Sequence, residues 1–309
     1  MTNPHLPAGV TVWERGWLSA NNVLLEGPDN RALVDSGYST HAAQTVALVT
    51  NSLGPKPLDL LVNTHLHSDH CGGNHALQAR YPHLQTWIPP GQAGAVAAWD
   101  TQRLSYAATG QQCPPFTHNG LLQPGHTVWL GQHPWDVHAA PGHDPDAVLL
   151  HQPGHGVLVS GDALWDNGFG VVFPELDGEG AFEAVGATLD LIASLNVHTV
   201  IPGHGPVFGG GPERVAQALA RARSRLDRFV QNPQQHDRYA AKVLLKFKLQ
   251  EFQRVAATDL ASWAGQTPLL TNLHRRAGGG SLALWLQALL QELANGGALV
   301  LDGGWVVDR

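Results

Sequence analysis

Leu58-Asp59-Leu60-Leu61-Val62-Asn63-Thr64-His65-Leu66-His67-Ser68-Asp69-His70-Cys71-Gly72-Gly73 is the stretch whose reading decides the fold. Its first part is an apolar run of strand length. Its second part packs three imidazoles and one carboxylate into the six residues His65–His70. On a strand, side chains at i and i+2 point the same way, so His65 and His67 can grip one cation from a single face. Where the chain turns at Ser68, Asp69 and His70 can swing toward a second cation. Imidazole nitrogen and carboxylate oxygen are ligands that zinc accepts at about 2.0–2.2 Å. At this chain's histidine and aspartate frequencies, such a pattern arises by accident about three times in a thousand.

Working outward, 309 residues with 43% hydrophobic content suit one core of roughly 200 residues plus a smaller appended unit. No apolar run reaches the ~18 residues of a membrane span, and Met1-Thr2-Asn3-Pro4-His5-Leu6-Pro7 lacks the basic and apolar segments of a leader peptide. Only Cys71 and Cys113 are present, so neither a disulfide framework nor a thiolate-rich zinc site is expected. A reducing, cytoplasmic setting fits. Charge is uneven: residues 1–210 sum to −12 and residues 211–309 to +5, within a net −7.

From Val10 to about Pro206, short apolar strands alternate with helical stretches, which argues for sheets covered by helices. Strands are expected at 23–25, 32–34, 58–64, 126–130, 135–139, 147–151, 156–160 and 198–201, and helices at 41–51, 74–80 and 182–195. Beyond Gly209-Gly210-Gly211-Pro212 the character changes. A basic amphipathic helix is expected at 213–230 and a second helix at 239–255. Thr258 is positioned to cap a third and Ser281 a fourth. Residues 298–301 and 305–307 read as a hairpin turning at Asp302-Gly303-Gly304. The expected domains are therefore 1–210 and 211–309, the second mainly helical and winged-helix-like.

A metal site built on strand ends should draw further ligands from other strand ends. His143, in Ala140-Pro141-Gly142-His143, follows the 135–139 strand; Asp162, in Ser160-Gly161-Asp162, ends the next but one; His204, in Pro202-Gly203-His204-Gly205, ends the 198–201 strand. With Asp35 in Asp35-Ser36-Gly37 and the His65–His70 run, these residues in this order resemble the metallo-β-lactamase superfamily over about residues 10–206. The resemblance implies an αββα sandwich with the metals at one edge. It implies that His65, His67 and His143 hold one divalent ion, that Asp69, His70 and His204 hold the other, and that Asp162 bridges them. Asp35 is then a supporting residue. Zinc is the first expectation, with iron or manganese also compatible with these ligand types.

Two dications a few ångströms apart lower the pKa of a shared water toward neutrality. A bridging hydroxide then serves as nucleophile, and Asp69 is the carboxylate placed to orient it or move its proton. No Ser/His/Asp or Cys/His arrangement competes. His75, His118, His126, His133, His138, His151, His155 and His198 read as surface or hydrogen-bonded residues, and Cys71 as a neighbour pointing away from the ions. Trp165-Asp166-Asn167-Gly168-Phe169-Gly170 either walls the substrate pocket or simply connects two elements.

The superfamily's fold does not fix the substrate. Small-molecule esters, thioesters or lactones are the leading class. Ligation through His70 and His204, with Asp162 as bridge, resembles the glyoxalase II and nuclease-like branches. The well-known zinc β-lactamases place Cys where Asp162 stands, which argues against lactams. Asp144 and Asp146 beside His143 disfavour a strongly anionic substrate. The winged-helix-like segment, with Arg221, Arg223, Arg225, Arg228, Lys242, Lys246 and Lys248, resembles a branch that includes an endoribonuclease, so phosphodiester cleavage is the alternative. The same helices can instead shape the pocket or form a homodimer interface. An iron-dependent persulfide dioxygenase uses nearly the same ligands and is a further alternative.

Overall fold

A computed structural model describes residues 4–309; Met1–Asn3, part of the stretch read above for a leader, lie outside them. Two six-stranded sheets form the larger part. The first runs β1 (Val10–Trp13), β2 (Asn22–Glu26), β3 (Arg31–Val34), β4 (Leu60–Val62), β5 (Gln85–Ile88), β6 (Gly120–Leu121), each strand beside the next. β1 to β3 are antiparallel and β3 to β6 parallel. The second holds β7 (Thr127–Leu130), β8 (His133–Ala139), β9 (Val148–Gln152), β10 (Val157–Gly161), β11 (Thr199–Pro202) and β12 (Phe208–Gly209), again in chain order. Only β10 and β11 are parallel there.

Period-two patterning puts the sheets face to face. Val23, Leu25, Ala32, Val34 and Val62 of the first meet Leu130, Trp135, Val137, Val148, Leu150, Val157, Val159 and Ile201 of the second in one buried cluster. The intervening Leu24, Leu33 and Leu61 face the other way, onto α1 (Ala42–Leu53) through Val49 and Leu53, and onto Leu77 and Tyr81 around α3 (Asn74–Arg80). Each such fully buried aliphatic side chain is worth about 1.5–3 kcal/mol. This is an αββα sandwich. Its remaining helices are α2 (Ser68–Cys71), α4 (Ala93–Ala98), α6 (Phe173–Asp177) and α7 (Phe182–Ser194). Among the described residues no helix is long and apolar enough to cross a membrane.

The chain divides into two compact units, one of residues 1–104 and 112–227, the other of 105–111 and 228–309. The division falls inside α8 (Pro212–Gln231). The second unit contains α5 (Tyr106–Thr109), α9 (Pro233–Phe252), β13 (Arg254–Ala256), α10 (Ala257–Gln266), α11 (Pro268–Arg276), α12 (Leu282–Asn295), β14 (Leu299–Asp302) and β15 (Trp305–Asp308). Its strands form a small sheet in the order β13-β15-β14. Ser281 caps α12 by accepting from the Leu284 backbone N–H, as its position suggested. Thr258 does not cap α10; the helix already begins at Ala257, because residues 254–256 pair with β15 rather than extending α9.

Candidate metal centre

β4 ends at Val62, short of the 58–64 expected, and the chain bends at Thr64 and His65; His67 is extended (φ −64°, ψ 149°) before the single helical turn α2 begins at Ser68. That change of backbone splits the ligands. His65 and His67, before the turn, bring their ligand atoms to one group, and Asp69 and His70, on the turn, bring theirs to another. Asn63 fixes the return by donating to the His70 carbonyl at 3.1 Å, while Asn74 donates to Asn63 at 2.7 Å.

Two groups of potential ligand atoms result: His65, His67 and His143, and Asp69, His70, Asp162 and His204. In the first, His67 Nδ1 lies 2.8 Å and His65 Nε2 3.2 Å from His143 Nε2. In the second, His204 Nε2 lies 2.9 Å from Asp69 Oδ2, and His70 Nε2 lies 3.4 Å from Asp162 Oδ1. Asp162 faces both groups, since its Oδ2 stands 3.4 Å from His143 Nε2. Gly203 is required here by close approach, because a Cβ would strike the Asp162 carboxylate.

The partners behind these atoms set which nitrogen carries a lone pair. His143 Nδ1 donates to the Val171 carbonyl at 2.5 Å, so its Nε2 is free of hydrogen. Thr64 Oγ1 donates to Asp35 and accepts from His65 Nδ1 at 3.1 Å, leaving His65 Nε2 in the same state. His70 Nδ1 donates to Asp35 Oδ2 at 2.8 Å, and its Nε2, shut away from solvent among carboxylates, has no hydrogen-bond partner. Asp35 does this from a left-handed backbone (φ +57°), a conformation costing about 1–3 kcal/mol, offset by three accepted hydrogen bonds from Thr64 N, Thr64 Oγ1 and His70.

Protonation follows from burial and charge. Burial holds His67 and His143 down to about 4 and His65 well below the usual histidine value, so all three are neutral at pH 7. Burial pushes Asp162 and Asp69 up, but the surrounding imidazoles outweigh it and keep both ionised. Burial pushes His70 down, yet Asp35, Asp162 and Asp69 together hold it well above its ordinary value. Lone-pair imidazoles converging on each other in the first group, and two ionised carboxylates, Asp69 and Asp162, facing each other in the second, are mutually repulsive unless positive charge sits between them. The donor set fits two cations.

The sequence reading places Asp144 beside the ions as a deterrent to anionic substrates, and gives Trp17 and Phe173 no role. Asp144 is 2% exposed and stands 3.7 Å from His67 Nε2, and its carboxylate accepts from the Asp146 backbone and Gln92; burial raises its pKa. It supports the site from within rather than facing a substrate. Trp17 is 51% exposed and stacks on His204 with ring centroids 5.3 Å apart, edge-on to Trp165. Phe173 leans on His67 at 4.6 Å. The periodicity of the chain carries no signal for these aromatic walls. Cys71 belongs to neither group; its Sγ lies 3.8 Å from that of Cys113.

The basic residues have partners in the fold. Arg214 and Arg221 both reach the Asp166 carboxylate at 2.5 Å, Arg225 donates to the Phe169 carbonyl, and Arg223 meets Asp190 at 2.7 Å. α8 therefore latches the 165–170 loop, whose Trp165 also donates to Asp162 Oδ1. In the second unit, Lys242 and Arg238 share Glu292, Lys246 meets Asp308, and Lys248 meets Glu251.

The family described as the metallo-beta-lactamase superfamily matches residues 15–204. The chain is 26% identical over 226 residues to acyl-coenzyme A thioesterase MBLAC2 of Gallus gallus, covering 66% of this chain and 81% of that one. It is 33% identical over 164 residues to hydroxyacylglutathione hydrolase of Rhodobacter capsulatus, covering 53% and 54%, so it spans about half of that relative. A beta-lactamase domain protein from Burkholderia ambifaria superposes with a TM-score of 0.60 at 22% identity, covering 99% and 94%. A metallo-beta-lactamase family protein from Thermus thermophilus gives 0.58 at 20%, covering 99% and 100%. At these identities the structural likeness is one of fold.

Proposed function

The chain belongs to the metallo-beta-lactamase superfamily of metal-dependent hydrolases, and from that premise we propose that it cleaves thioesters at a dinuclear centre. His65, His67 and His143 would hold one divalent ion and Asp69, His70 and His204 the other, with Asp162 facing both groups; zinc is the first expectation and iron or manganese next. The observation that carries this reading is the two-sided Asp162 carboxylate, one oxygen 3.4 Å from His143 and the other 3.4 Å from His70. When bound, the ions supply an activated water and an electrophile for the substrate carbonyl.

The chain's own groups do the rest. Asp69, kept ionised by His70 and His204 against its burial, accepts a proton from the attacking water and orients it. Asp35 holds His70 in one ring orientation through Nδ1. Trp17, Trp165 and Phe173 offer apolar walls to an acyl group. The names of both kinds of curated relative, an acyl-coenzyme A thioesterase and hydroxyacylglutathione hydrolases, support an acyl group carried on a thiol. Phosphodiester cleavage is disfavoured because Arg221, Arg223, Lys242, Lys246 and Lys248 are engaged in ion pairs within the fold. The second unit, with its helices and the β14–β15 hairpin, is read as a winged-helix-like accessory.

Elemental analysis of protein purified without added metal, followed by parallel assays on thioesters, lactones and a single-stranded oligonucleotide, tests the reading. We expect about two equivalents of divalent metal and thioester turnover that a chelator abolishes and added zinc restores. Iron alone with oxygen uptake, or cleavage of the oligonucleotide only, overturns it.

A further inference from the structure

The second sheet carries another convergence of metal-ligating groups, away from the strand ends and unused by the hydrolytic chemistry. β8 and β9 pair antiparallel with Asp136 opposite His151, and His138 lies two residues beyond Asp136. Trp135 and Val137 turn into the core between the sheets, as does Leu150. The strand period of two therefore puts Asp136, His138 and His151 together on the outer face. One ligand atom from each lies within 4.8 Å of the others.

A second observation points to a ligand. The Nε2 atoms of both His138 and His151 are closed to solvent and have no hydrogen-bond partner, and His151 is only 4% exposed. Two orphaned imidazole nitrogens on rings with centroids 6.1 Å apart, near a carboxylate, are unfavourable in the fold alone and suited to a shared cation. Their partners behind are already in place. Thr127 Oγ1 donates to Asp136 Oδ1 at 2.7 Å, and the Asn196 backbone hydrogen-bonds the His151 ring, which burial keeps below its ordinary pKa. Such contacts orient ligands in known metal sites. Around a tetrahedral zinc the ligand atoms would stand roughly 3.3 Å apart, within reach of small rotamer changes. Asp136 and His138 are half-buried, which leaves an access path and room for a water as fourth ligand.

We propose that Asp136, His138 and His151 form a third cation site, for zinc or a similar borderline divalent ion, that staples β8 to β9. The two strands bracket residues 140–147, the turn that carries His143 and Asp144, so an ion there steadies the base of that turn.

Full-length protein with its catalytic centre loaded is dialysed to equilibrium against rising micromolar zinc, and bound metal is counted by elemental analysis. Wild type is expected to hold one equivalent more than His138→Ala, and to gain thermal stability from that last equivalent, with thioester turnover unchanged. The readout is the difference between the two proteins, so it stands whether the catalytic centre carries one ion or two. Asp136→Asn serves as the second variant should His138→Ala not fold, and His133→Ala, on the same strand, should match wild type. Equal uptake in wild type and in the folded variants overturns the proposal.

Discussion

Titratable side chains are buried in both compact units, but they are arranged in opposite ways. In the first unit, seven histidine and aspartate side chains point their ligand atoms at one another. In the second, no such cluster of ligand atoms is found among the described residues. Lys248, 4% exposed, is neutralised by Glu251 at 2.7 Å and lies over the rings of Phe252 and Trp263. His236, 1% exposed, sits edge-on to Phe229 at 5.0 Å. Burial of a charge-bearing group is therefore no mark of function by itself. What distinguishes the first unit is that its lone pairs converge, while its hydrogen-bond donors are turned outward to Val171, Asp35 and Thr64.

The sharpest way to break that contrast is His67→Ala. One of three converging imidazoles disappears, and the remaining two cannot hold an ion against solvent. Turnover should fall by well over the roughly 10–100-fold typical of a residue that merely supports a ligand, with loss of about one metal equivalent and an unchanged far-ultraviolet circular dichroism spectrum. Near wild-type rates would sink the dinuclear scheme. Asp35→Asn comes next. Asn tolerates the left-handed backbone at this position, so the change isolates the charge behind His70. We expect roughly 10–100-fold weaker metal binding, read by competition with a chromophoric chelator, and a smaller loss of rate at saturating metal. Unaltered affinity would mean that His70 is not a ligand.

Much of the first unit was legible because its chemistry coincides with its periodicity. His65 and His67 announce themselves as i and i+2 after an apolar strand, and His143, Asp162 and His204 each follow the end of a strand that the apolar pattern marks. What escaped has a physical reason in each case. β5, Gln-Thr-Trp-Ile, is too short and too mixed to stand out. α11 is dominated by Thr271, Asn272, His274, Arg275 and Arg276, and buries only Leu269, Leu270 and Leu273. Trp17 and Asp166 acquire their roles only from partners far along the chain, His204 for one and Arg214 with Arg221 for the other. The row of arginines on α8 illustrates the point. Composition alone equally suits a surface for phosphates and a latch for a loop, and only the position of Asp166 separates them.

The smallest expected effect lies in the second unit and tests burial outside any cluster of ligand atoms. Burial, with help from the Arg276 charge, holds His236 down at about 4, against an ordinary value near 6.5. The folded protein therefore keeps it neutral, while the unfolded chain takes up a proton as pH falls through 6.5. Its neutral form contributes fully above pH 6.5, and stability is lost progressively between 6.5 and 4, at up to about 1.4 kcal/mol per pH unit. Between pH 7 and 5.5 the loss should be on the order of 1 kcal/mol, measured as a fall in urea midpoint. Removing the titration with His236→Phe should flatten that slope relative to wild type without touching metal content or thioester turnover. Titrations in the first unit are common to both proteins and cancel in the comparison. A variant whose midpoint falls as steeply as wild type would show that His236 takes up its proton equally in the folded and unfolded chain, and that the second unit accommodates charge at this position after all.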